Sequence, residues 1–244
     1  MNVIKCLKLV LLAVFLTLMF GHSYSKTSTD TTSVQLQAVG RVVWVNGPSF
    51  KAMSADNSTR TLQKTSVIYL YDRLVTDAKT QAEIVFTDDT LITFHPATDF
   101  TVDNYAYDKN QKSSVGKSVM SLIQGGFRTI TGLIAKGNPS GYAVKTPVAT
   151  IGVRGTDYTV QLDNGQLFIG YNHGVPCVTS NKVDQTLCLD DKTPYAKVSS
   201  ANAAPQGLTV KPDELDQQTL ITPAKIAGFG TIKNSSVTSF CISQ

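Results

Sequence analysis

Lys145-Thr-Pro-Val-Ala-Thr-Ile-Gly-Val-Arg-Gly-Thr-Asp157 is the stretch from which the fold is read. Pro147 removes a backbone donor near its start, and Gly152 and Gly155 free the backbone on either side of Arg154. The expectation is a corner between two strands. Beyond it Tyr158, Val160 and Leu162 alternate with Thr159, Gln161 and Asp163, the period of a half-buried strand. Asp163-Asn164-Gly165 then reads as a hairpin turn, because its Asn-Gly pair tolerates positive φ. A tight corner leaves carbonyls in need of donors. Arg154 is placed to supply several at once, with Asp157 or Asp163 as its charge partner. The competing role for Arg154 is a contact with an anion or a partner's carboxylate.

Working outward, the same signals recur. Val34 to Val45 is a strand region closed by Asn46-Gly47-Pro48, with the only tryptophan, Trp44, at a core edge. Ser49 to Lys64 reads as a polar surface loop. Ala82, Ile84 and Phe86 alternate with Glu83, Val85 and Thr87; Asp88-Asp89 makes a turn, and Leu91–Phe94 is a strand stopped by Pro96. Gly125-Gly126 between Val119–Gln124 and Phe127–Ile130 predicts a hairpin, and Asn172-His173-Gly174 predicts another turn. Strand signals at intervals of about 8–12 residues argue for an all-β domain.

The run Thr146-Pro147-x-Ala-Thr-Ile-Gly152-Val-Arg154-Gly155-Thr156-Asp157-Tyr-x-Val resembles the signature of the FecR-domain family. The likeness spans about residues 66–178. The family's Gly-Asp-x-Ile-x-Thr-Gly and Asp-Gly-Ser turns recur here with Tyr71, Asp77 and Asp89 in place of three glycines. Aspartate tolerates the left-handed region and tyrosine does so at a cost. The resemblance implies a distorted β-solenoid-like domain, with a β-sandwich as the alternative. It also implies a periplasmic signalling role, since relatives carry this domain outside the membrane in anti-sigma regulators of iron transport. This chain departs from that layout: only eight residues precede its apolar run, and no receptor-binding domain is recognisable after the β region.

The organisation expected is a signal peptide over 1–25, a mobile leader over 26–33, a FecR-like β domain over 34–198 and a C-terminal appendage over 199–244. Lys5 and Lys8 precede an apolar run from Leu9 to Phe20, and small residues follow at Ser23 and Ser25. Twelve residues fall short of the ~20 that span a bilayer, so no stable membrane span is expected after cleavage. The chain is then periplasmic or extracellular. The formal net charge of +4 drops to +2 once two leader lysines are gone, 20 basic residues against 18 acidic. With no basic patch interleaved with aromatics, a nucleic-acid partner is excluded.

Cys177 and Cys188 bracket a polar loop and pair as a hairpin disulfide in an exported chain, leaving Cys241 over. Beyond the leader only His95 and His173 remain. No metalloprotease, nucleophile-elbow or phosphate-loop pattern occurs, so no catalytic residue, cofactor or metal is expected. Tyr105, Tyr107 and Tyr142 read as packing residues. The function expected is therefore a non-enzymatic binding or signalling module whose partner is a protein or glycan of the cell envelope. An envelope structural component and an envelope-modifying hydrolase are the alternatives.

Overall fold

The structure, a computed structural model, describes residues 36–110 and 116–216. The expected signal peptide, the leader to residue 33 and Cys241 lie outside the described residues. Strands dominate the described chain, and its helical elements are single turns. The order is β1 (Ala38–Asn46), β2 (Phe50–Met53), β3 (Thr59–Thr61), β4 (Val67–Tyr69), β5 (Arg73–Thr76), β6 (Gln81–Phe86), β7 (Leu91–Phe94) and β8 (Asp99–Ala106). Then come β9 (Lys117–Ile130), the one-turn helix α1 (Leu133–Gly137), β10 (Tyr142–Lys145), β11 (Ala149–Asp163) and β12 (Gln166–Ser180). β13 (Thr186–Cys188), β14 (Tyr195–Val198), β15 (Gln206–Leu208) and a 3₁₀ turn at Asp213–Leu215 complete it. The all-β expectation holds. Among the described residues no helix is long and apolar enough to cross a membrane.

The strands form one open mixed sheet with the main order β15-β14-β12-β11-β10-β9-β7-β6-β1-β4. β9 is its hub. Its first half pairs β8 on one side and β10, in parallel, on the other; its second half pairs β7 and β11. One strand serves four neighbours because Gly125, at φ +77°, bends it midway. That glycine is forced: a Cβ there would lie 2.6 Å from the Ala97 carbonyl oxygen and from the Thr98 Cα. Gly125-Gly126 is thus a bend inside a continuous strand and not the predicted hairpin. The two can share a sequence because both need positive φ, and only the distant partners decide whether the ladder continues.

The core lies against one side of the bent sheet. A run of rings crosses it, from Phe50 through Phe94, Phe100 and Phe127 to Tyr158, at centroid distances of 5.9, 5.1, 5.5 and 6.1 Å. All five are essentially without solvent contact. The Asp163-Asn164-Gly165 turn forms as predicted, with φ of +48° and +73° at its last two residues. Tyr71 does adopt the left-handed region, at φ +69°, as does Asp89 at +68°. The region expected as an appendage contributes β15 to the sheet through Tyr195, Ala196 and Lys197 of β14.

The central strands are not half-buried. Glu83, Val85, Leu91, Thr93 and His95 turn away from the main core and are nevertheless buried. The alternation read along β6 is correct in register, but both faces of the sheet are covered there.

A clamped double bulge as the candidate functional site

The signature stretch is one strand and not a corner. β11 runs unbroken for 15 residues against β12, also 15 residues long. The ladder is irregular at one place. β11 carries an extra residue between Arg154 and Asp157, and β12 then carries one between His173 and Tyr171. The two bulges cancel, so Val153↔Pro176 and Thr159↔Gly170 lie in the same register. Asn172-His173-Gly174 is therefore part of a bulge within β12, correcting the expected turn.

Two glycines make this geometry possible. Gly155 has φ +58° and Gly174 φ +83°. They sit back to back: a Cβ on Gly174 would lie 2.2 Å from the Gly155 carbonyl oxygen and 2.8 Å from the Thr156 Cα. Gly152 plays no such part. It lies in extended strand opposite Cys177, with open space where a Cβ would be.

The bulge is held on both faces of the strand, through Asp157 on the outer one and Thr156 on the inner one. Arg128 donates from Nε to Asp157 Oδ1 at 2.9 Å and from Nη2 to Asp157 Oδ2 at 2.7 Å. Asn172 Nδ2 donates to the same carboxylate at 3.2 Å. The fork raises the Arg128 pKa, chiefly through its hydrogen bonds with Asp157. Thr156 N donates to Thr131 Oγ1 at 2.8 Å, and the Thr156 carbonyl accepts from the Thr131 amide and hydroxyl at 2.9 and 3.1 Å. Thr146 closes the preceding loop: its hydroxyl donates to the Ala149 carbonyl at 2.8 Å and accepts from the Val148 and Ala149 amides. Pro147 stands exposed in that loop.

Arg154 does not pair Asp157 or Asp163. Asp157 belongs to Arg128, and Asp163 accepts from Asn164. In the strand's alternation Val153 and Thr156 point inward, and Arg154 points out into solvent. The structural role expected for Arg154 is thus taken by Arg128, which the sequence hides because it lies 29 residues away from Asp157. Around Arg154 the surface is basic and partly apolar. Lys136 of α1 is exposed and lies close to Gly155, and His173 and Val175 are exposed on the facing strand. Leu133 of α1 is exposed as well.

Two other polar groups were candidates. His95 is buried, and its Nδ1 lies 3.0 Å from Gln161 Oε1. Desolvation lowers its pKa, the Gln161 bond opposing. Thr93 and Glu83 are its neighbours on the same sheet face, but Thr93 Oγ1 and His95 Nε2 make no hydrogen bond. A nucleophile–base pair needs that bond. Asp88 is fully buried with its pKa raised by desolvation, and it accepts from Tyr105, Thr90 and the Ile134 amide. It ties α1 to the β6–β7 turn. Tyr105 and Tyr142 are buried, as packing residues. The Cys177–Cys188 disulfide is formed across β12 and β13, where the two are register partners. Among the described residues no group of three His, Cys, Asp or Glu is arranged to hold a metal ion.

No curated protein matches the chain. A solved structure described as a candidate anti-sigma factor from Parabacteroides distasonis is similar at 13% identity and a TM-score of 0.43. The likeness covers 56% of this chain and 58% of that one, so this chain spans just over half the length of that relative. The family model described as FecR protein matches residues 72–174. The matched segment opens at Asp72 on the β4–β5 turn, takes in the whole of β9 and β11, and closes on the bulge glycine Gly174. The likeness to the FecR family is thus carried by residues 72–174 of this chain.

Proposed function

We propose that the chain is an exported, non-enzymatic signalling module of the cell envelope that binds a protein partner through the Arg154 side of the double bulge. The observation that carries this reading is the outward placement of Arg154 on a backbone fixed by Arg128, Asp157 and Asn172 on the same face and by Thr131 behind it. A guanidinium on a rigid support loses little conformational freedom when it meets a carboxylate. Lys136 adds positive charge, and Val175 and Leu133 add apolar surface, the mixture found where partners are gripped. An acidic, partly apolar protein surface is the complement. The family match supports a regulatory role, and the basic-then-apolar N-terminal sequence supports export to the periplasm.

The test uses the full chain, tagged at its C-terminus, with cell fractionation and partner capture from the envelope. The mature chain is expected in the periplasmic fraction. Arg154→Ala is expected to weaken binding of the captured protein at least tenfold, about 1.4 kcal/mol, at an unchanged melting temperature. Arg154→Glu should abolish it. Binding that survives Arg154→Glu would overturn this surface as the contact, and a chain confined to the cytoplasm would overturn the envelope reading.

A further inference from the structure

The disulfide lies on the outer face of the β11–β12–β13 ladder, at the edge of the sheet. Cys177 and Cys188 are register partners, so their S–S bond crosses the gap between β12 and β13. Cys188 is exposed and Cys177 half-buried. Among the described residues β13 pairs β12 alone, so the Cys188 sulfur looks onto a free edge. On its other side Cys177 lies opposite Gly152 of β11, where a Cβ would meet nothing within 4 Å. No side chain at that position covers the Cys177 sulfur.

The two sulfurs differ in the charges around them. Arg154 stands two residues from Gly152 on the same outward face, opposite Val175 and so diagonal to Cys177. Diagonal neighbours across an antiparallel pair are about 7–8 Å apart at the backbone, a distance that a long side chain spans. Cys188 is instead followed by Asp190, Asp191 and Lys192, two acids against one base. Asp190 accepts from the Lys192 and Thr193 amides, and Asp191 from the Tyr171 hydroxyl. A thiolate is favoured beside a cation and disfavoured beside anions. Cys177 is therefore the sulfur that leaves more readily, and Cys188 the one that is attacked.

We infer that the Cys177–Cys188 bond is a thiol–disulfide exchange site, open to an external protein dithiol. A thiolate of that dithiol attacks Cys188 Sγ in line with the S–S bond, from the free edge of β13. The bond to Cys177 breaks, a mixed disulfide forms at Cys188, and Cys177 departs as a thiolate beside Arg154. The second thiol of the reagent, as its thiolate, then displaces Cys188. The dithiol is oxidised to its own disulfide, and Cys177 and Cys188 take up the electron pair and both protons. The hairpin has other ties that outlast the bond. The Thr179 and Thr186 hydroxyls lie 2.8 Å apart, the Ser180 amide donates to the Gln185 carbonyl at 3.0 Å, and the Leu189 amide donates to the Pro176 carbonyl at 2.9 Å. The two thiols thus stay opposed, and an oxidised dithiol re-forms the bond by the reverse steps. The inference stands apart from the signalling reading, because the exchange needs no bound partner at the Arg154 surface.

Two measurements on the purified full chain test it, after any free thiol has been blocked. In the first, mercaptoethanol, an uncharged monothiol, is added briefly at neutral pH without denaturant. Released thiols are capped with iodoacetamide and the cysteine peptides are mapped by mass. The mixed adduct is expected on Cys188 about tenfold more often than on Cys177. Adduct shared equally, or carried mainly by Cys177, would overturn the inference. In the second, dithiothreitol gives the rate of complete reduction. Reduction should run about tenfold or more above the rate of global unfolding, read from urea-jump fluorescence extrapolated to water, with the strand circular dichroism retained. Reduction no faster than unfolding would overturn the inference and leave the bond purely structural. Arg154→Ala should slow the reduction about threefold, and Arg154→Lys should restore most of the rate. Equal rates in the wild type and both variants would overturn the assignment of Cys177 as the leaving sulfur.

Discussion

Alanine placed in turn at Gly152, Gly155 and Gly174 separates a bulge from a corner. At Gly152 the backbone is extended and a Cβ meets nothing within 4 Å. Gly152→Ala should be neutral, or should stabilise by up to about 0.5 kcal/mol through the unfolded chain. At Gly155 the left-handed φ of +58° costs an L-residue about 1–2 kcal/mol. The nearest atom, Lys136 Cγ at 3.6 Å, is in ordinary contact and adds nothing. At Gly174 the same conformational term applies at φ +83°, and the Cβ also runs into backbone, 2.2 Å from the Gly155 oxygen. Backbone cannot swing aside as a side chain does, so overpacking adds about 1–3 kcal/mol. Gly174→Ala should therefore lose about 2–5 kcal/mol. At about 2–4 °C per kcal/mol for a domain of this size, its thermal midpoint falls by roughly 4–20 °C, against about 2–8 °C for Gly155→Ala. Urea unfolding followed by tryptophan fluorescence, with thermal melts beside it, ranks the three. Equal losses at Gly152 and Gly174 would refute the back-to-back bulge and restore the corner.

Arg128→Ala should cost about 2–3 kcal/mol in thermal melts, below the 3–5 of a fully buried pair because its side chain and that of Asp157 are 29% and 19% exposed; a loss under 1 kcal/mol would show that the fork does not hold the bulge. Cys177→Ser/Cys188→Ser opens a loop of sequence separation 11 and should lose roughly 2.5–3 kcal/mol on the chain-entropy treatment, and non-reducing peptide mapping of the wild type should find the two cysteines joined. For His95, burial favours the neutral ring and sets the folded pKa below the ordinary 6.5. The unfolded chain takes up the proton first as pH falls, so this contribution is complete above pH 6.5 and is lost on acidification toward the folded pKa. Urea midpoints of the wild type should accordingly fall more steeply below pH 6.5 than those of His95→Gln, and parallel curves would contradict the burial.

What a single chain reveals about itself here is its local part. The alternation in Tyr158–Leu162, the Asn164-Gly165 turn and the pairing of Cys177 with Cys188 each depend on a few neighbouring residues, and each is found in the structure. The failures all involve distant partners. Gly125-Gly126 and His173-Gly174 read as turns, and Gly125 and Gly174 do take positive φ, but inside strands whose ladders β7, β8, β10 and β11 sustain. Arg154 looked like the partner of Asp157 because it is three residues away. Antiparallel pairing instead brings Arg128 of β9 onto the same face as Asp157. Glu83, Thr93 and His95 look solvent-facing by alternation, and nothing local to them announces a second covered face. Tyr71 holds a left-handed turn that its own chemistry disfavours, which shows the surrounding strands deciding the conformation.

The four partners of β9 have a consequence for synthesis. Chain emerging from the ribosome N-terminus first delivers β7 and β8 well before Lys117–Ile130 exists. Until then each of those strands offers an open edge carrying Phe94 or Phe100, a template for pairing with other copies. The nascent product cannot mature piece by piece, because the strand that seals its early half is the same one that anchors its late half. A polypeptide interrupted before residue 117 is therefore an aggregation hazard, and keeping it unfolded until β9 has been made is the safer itinerary.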